Sequence, residues 1–180
     1  MVSALAEGNH LMNENLVMTV IGDDRPGLVE MLAHTVSSHD GSWLESRMAR
    51  LGGKFAGILR VSIPADSVDS LLETLRGLDE KGLRVTSERS IAPEPRPQPV
   101  RLELVGSDHL GIVRDISALL TRQQINVEEF TSDCEPAPMS GQQLFKATVL
   151  LHLPVGLTAD ELRTSLEGLA TDLMVDITLS

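Results

Sequence analysis

"IGDDRPGLVEML", residues 21–32, breaks an apolar run with two acids, an arginine and a Pro-Gly pair, then resumes apolar residues at helical spacing. "VGSDHLGIVRDI", residues 105–116, echoes it: Gly22, Asp24, Gly27 and Val29 recur 84 positions on as Gly106, Asp108, Gly111 and Val113. Leu28, Leu32 and Val36 recur at the same offset as Ile112, Ile116 and Leu120. Apolar residues so spaced share one face of a helix. A strand, a tight turn and an amphipathic helix therefore occur twice.

The repeat continues beyond the helix. Phe55, Leu59, Val61 and Ile63 match Phe145, Val149, Leu151 and Leu153 at an offset of 90, with the period of two that a half-buried strand requires. Both strands are expected to end at a proline, Pro64 and Pro154. The six extra residues fall in "CEPAPMSGQ", 134–142, whose composition marks a loop where the first copy has only "GG" at 52–53. A second helix follows, with Leu71, Leu75 and Leu78 matching Leu162, Leu166 and Leu169, and each copy closes on a strand, "LRVTSERS" or "LMVDITLS".

Each copy thus reads strand, helix, strand, strand, helix, strand. The expected fold class is α+β, with two ferredoxin-like βαββαβ domains, each an antiparallel four-stranded sheet with its helices on one face. The boundaries are a flexible lead-in over 1–14, a first domain over 15–91, a linker over 92–99 and a second domain over 100–180. "APEPRPQP" is that linker, and four prolines in eight residues favour an extended, semi-rigid spacer. In the second copy Leu144, Thr148 and Leu150 would make the sheet face away from the helices apolar too, so a cover by the other domain or a second subunit is expected. Trp43, at the start of the second strand, reads as a core or interface anchor.

Composition narrows the function. A formal net charge of −11 argues against direct grip on nucleic acid, which draws on Lys and Arg to neutralise phosphates. The same charge disfavours anionic membranes, and the apolar run at 147–157 is too short to span a bilayer. The single cysteine, Cys134, has no intrachain partner, so the cytoplasm is the expected compartment and Cys134 is read as a bland small residue. His34 and His39 are five apart with no acidic cluster to complete a metal set, and no nucleophile has a matching base. No catalytic residue, metal or cofactor is expected.

A turn that opens a helix presents unpaired amides and the positive end of the helix dipole, an anion site in waiting. Asp24 is placed to cap the helix or meet an ammonium group, Pro26 suits the first helical turn, and Gly27 permits close backbone approach. A cap that binds nothing explains the same residues, so both readings stand. The second copy has His109 and Leu110 where the first has Arg25 and Pro26, which makes the first the preferred binding turn.

With "GDDRPGLV", the stretch "SRMARLGGKFAGILRVSIP", the proline-rich joint and "DHLGIVRDISALLTRQQINVEEFTS", the chain resembles tandem ACT-domain proteins, in particular the glycine cleavage system transcriptional repressor family. The resemblance covers about residues 15 to 180. It implies a non-enzymatic, homo-oligomeric regulator that binds a small amino acid, glycine foremost, at the strand–helix turns. The implied ligand residues are Asp24, Arg25, Gly27, Leu28 and Val29 in the first copy, and Asp108, Gly111 and Ile112 in the second. It also implies a protein partner, a DNA-binding transcriptional regulator. A ligand-free interaction module, or a sensor of another amino acid with another partner, is the alternative.

Overall fold

The computed structural model describes residues 13–90, 97–137, 143–173 and 175–180. Most of the expected lead-in and positions 92–96 of the linker lie outside the described residues. The chain divides into two compact units between residues 93 and 94.

In the first unit the order is β1 (Asn13–Asp23), α1 (Leu28–Ser37), β2 (Ser42–Leu51), β3 (Lys54–Pro64), α2 (Val68–Arg76) and β4 (Leu83–Ser90). The sheet order is β2-β3-β1-β4, antiparallel throughout. Period two decides which residues enter the core: Leu16, Met18 and Val20 of β1 and Leu59, Val61 and Ile63 of β3 are buried. Leu28, Leu32 and Val36 of α1 and Val68, Leu71 and Leu75 of α2 complete one cluster, with Trp43 packed at its margin. Thr35 is buried on the same stripe, and its hydroxyl donates to the Met31 carbonyl at 2.9 Å. Gly52 and Gly53, both at positive φ, make the two-residue hairpin between β2 and β3 that the sequence anticipates.

The second unit repeats the order with β5 (Val100–Ser107), α3 (Ile112–Arg122), β6 (Asn126–Pro136), β7 (Gln143–His152), α4 (Ala159–Leu173) and β8 (Val175–Leu179), in sheet order β6-β7-β5-β8. Leu102, Leu104, Val149 and Leu151 meet Ile116 and Leu120 of α3 and Leu162 and Leu166 of α4 in its core. Each unit also carries a bulge at the matching point of its second strand, between Trp43 and Glu45 and between Val127 and Glu129. The expected α+β architecture of two βαββαβ units is the observed one.

Three local expectations are corrected. Cys134, Glu135 and Pro136 belong to β6 and not to a loop, since β6 pairs with β7 as far as Pro136↔Gln143. β7 ends at His152, two residues before Pro154. The open face of the second sheet is mixed and not uniformly apolar: Leu144, Thr148, Leu150 and Val105 share it with Lys146 of the same strand as the first three and with Glu103, Asp133 and Glu135 of the paired strands. The open face of the first unit is mixed in the same way, with Val17, Ile21, Ala56 and Ile58 set among Arg60, Arg47, Glu88 and Arg84.

Candidate functional site

The turn between β1 and α1 is shaped by its two glycines, for different reasons. At Gly22 a Cβ would lie 2.4 Å from the Gly82 carbonyl oxygen, so only glycine lets the end of β1 run against the turn that opens β4. Gly27 sits at φ 91° and is the N-cap of α1. That conformation suits glycine because other side chains clash with their own backbone there.

This corrects the expected cap. No side chain caps α1, and Pro26 stands ahead of Gly27, outside the helix. Asp24 faces away to the tip of the β2–β3 hairpin instead: its N–H donates to the Gly53 carbonyl at 3.0 Å, and its Oδ2 lies 2.6 Å from Arg50 Nε. Asp23 pairs with Lys54 directly across the β1–β3 ladder. Hydrogen bonding and the charge of Lys54 hold the Asp23 carboxyl below its ordinary value. Arg25 donates to the Lys81 carbonyl in the turn before β4.

The amides at the start of α1 have no intrahelical acceptor, as at any helix N-terminus; Met31 is the first to bond back, to the Gly27 carbonyl at 2.9 Å. Leu28 is only 3% exposed and belongs to the core, so it can offer a ligand main chain alone, whereas Val29 is 46% exposed. A hollow of about 350 Å³ adjoins the turn, lined by Ile21, Asp23, Lys54, Asp79, Gly82 and Arg84.

The second turn keeps the backbone and changes the charges. Gly106 approaches β8 closely, since a Cβ there would meet the Val175 side chain at 2.3 Å. Gly111 caps α3 at φ 94°, and the Asp108 N–H donates to the Gln143 carbonyl at 2.9 Å, the counterpart of the Asp24 tether. Ile112 is buried like Leu28. Strand register identifies the counterpart of Arg50: Arg50 pairs with Phe55 as Cys134 pairs with Phe145. Desolvation and the carboxylates of Asp108 and Asp133 push the Cys134 thiol up, away from the reactive thiolate. Among the described residues no cation pairs with Asp108.

Of the expected site residues, Asp24, Arg25 and Gly27 thus gather at one corner of the first unit, and Asp108 and Gly111 at the matching corner of the second. Arg50 and Lys54 join the first corner without having been expected. Their signal in the sequence is the pair of cations flanking Gly52–Gly53, which becomes meaningful only once β3 is paired with β1.

Comparison with known proteins follows the same lines. The family model for the ACT domain matches residues 14–87. The glycine cleavage system transcriptional repressor of Escherichia coli is 28% identical over 164 residues, covering 88% of this chain and 85% of that protein. A crystal structure of an unknown protein from Galdieria sulphuraria superposes with a TM-score of 0.80 at 30% identity, covering 94% of this chain and 98% of the other. A crystal structure assigned to a glycine cleavage system transcriptional repressor gives 0.72 at 21% identity, covering 94% and 97%. The first unit thus matches the ACT-domain family, the second repeats its fold, and the chain across both is similar to the glycine cleavage system transcriptional repressors.

Proposed function

We propose that this protein is a non-enzymatic regulator of the glycine cleavage system that binds a small amino acid, glycine foremost, at the first strand–helix turn and controls transcription through a DNA-binding protein partner. The observation that carries the reading is the match to the Escherichia coli repressor over 88% of the chain, which spans both units and not one ACT domain alone. The turn supports it physically: the Asp24 carboxylate suits an ammonium group, and the Arg50 guanidinium and the free amides at the start of α1 suit a carboxylate. A net charge of −11 supports action through a partner, because this chain on its own would be repelled by DNA. No described helix is long and apolar enough to cross a membrane. The cytoplasm and self-association are part of the same proposal.

One observation favours a second reading, a ligand-free interaction module: Asp23, Asp24 and Arg25 each have a partner within the chain already. The two readings separate in a pull-down from cell extract with and without millimolar glycine. A regulator of the proposed kind captures a DNA-binding protein in an amount that changes with glycine. Capture indifferent to glycine and to every other amino acid favours the ligand-free module.

A further inference from the structure

We propose that Arg50, at the tip of the β2–β3 hairpin, selects amino acids over simple amines at the first turn, by holding Asp24 in the free chain and the ligand carboxylate in the bound one. The inference rests on the first turn being the amino-acid site. It starts from the ion pair between Arg50 Nε and Asp24 Oδ2 at 2.6 Å. A zwitterion carries the complementary pair of charges, so its ammonium can take Asp24 while its carboxylate takes the guanidinium. Arg is suited to that exchange, since its planar fork accepts a carboxylate through two parallel hydrogen bonds.

The second unit serves as an internal control. It builds the same turn, with Gly111 at φ 94° against Gly27 at 91° and a backbone tether of 2.9 Å against 3.0 Å, yet Cys134 stands at the position of Arg50. The turn therefore folds without the cation. Arg50 is also 69% exposed on its side chain, where an ion pair adds little stability. Neither folding nor stability accounts for an arginine here, whereas recognition of a carboxylate does. The second turn carries a different cation, Arg114, whose guanidinium lies over Gly111 and pairs with Asp115, so among the described residues none bridges to Asp108 as Arg50 does to Asp24.

The test is titration calorimetry of the full chain with glycine and with glycinamide, which keeps the ammonium and lacks the carboxylate, on wild type and Arg50→Gln. Wild type should bind glycine well above glycinamide. In Arg50→Gln glycine should weaken at least about tenfold, the scale of a charge-assisted hydrogen bond, and the discrimination should vanish. An unchanged thermal midpoint without ligand checks that the variant is folded. Glycine binding in Arg50→Gln equal to or tighter than wild type would overturn the role of Arg50 and leave the site standing. Failure of wild type to bind glycine would overturn the site, and this inference with it.

Discussion

Gly22 and Gly27 lie five residues apart and are both glycine, yet they answer to different constraints, and substitution should tell them apart. At Gly27 nothing lies within 4 Å of an added Cβ, so Gly27→Ala suffers only the left-handed backbone and should cost about 1 kcal/mol. Gly22→Ala drives a methyl group into the backbone oxygen of Gly82 and should cost more, because β4 must shift to make room. Urea midpoints on the two variants check the order, and a milder effect at Gly22 would contradict the packing described. The repeated Gly-x-Asp-x-x-Gly spacing made these positions visible in the sequence. What it could not show was whether Asp24 caps a helix or pairs with a cation, because Arg50 is 26 positions away and arrives only through antiparallel pairing.

Among the elements, α4 carries its start signal in the sequence itself, Thr158-x-x-Glu161. Thr158 and Glu161 form a capping box: the Thr158 N–H and hydroxyl donate to Glu161 Oε2 at 2.8 and 2.9 Å, and the Glu161 N–H returns to the hydroxyl at 3.3 Å. Thr158→Ala should lower stability by about 1 kcal/mol, read from chemical denaturation. Those bonds hold the Glu161 carboxyl below its ordinary 4.5. Lys54 and Arg114 likewise hold Asp23 and Asp115 below 3.8. All three are lowered in the fold, so their contribution is complete above these ordinary values and is lost as pH falls through the folded ones. A pH series of thermal midpoints should therefore fall off on the acid side of about pH 4. Salt should blunt the Asp23 and Asp115 part and spare Glu161, whose donors are neutral. The order of elements was legible because apolar period survives in both copies. The extent of β6 was not, since Pro136 and its neighbours look like a loop until β7 pairs with them. Nor was His39, whose ring reaches the Thr35 carbonyl at 2.8 Å and Thr74 of α2 at 3.2 Å and so ties the two helices together.

For the whole molecule, the proposed function is a regulator that reads a metabolite and acts through another protein, and a net charge of −11 suits that indirect action. The chain alone should not retard DNA of a glycine cleavage operon in a gel at any salt, and a salt-sensitive shift would contradict indirect action. Fold and repeat were readable from 180 residues because duplication writes most core positions twice. The chemistry of the site was only half readable, because the two copies share a backbone and differ in the cations that face it. The most direct measurement is thermal unfolding of wild type and Asp24→Ala across a glycine series. A ligand that binds only the folded chain adds about 2.7 kcal/mol at a hundredfold excess over Kd. The account predicts a midpoint that climbs with glycine in wild type and stays flat in a folded Asp24→Ala. A midpoint that ignores glycine and every other common amino acid, or one that climbs equally in the variant, would contradict it.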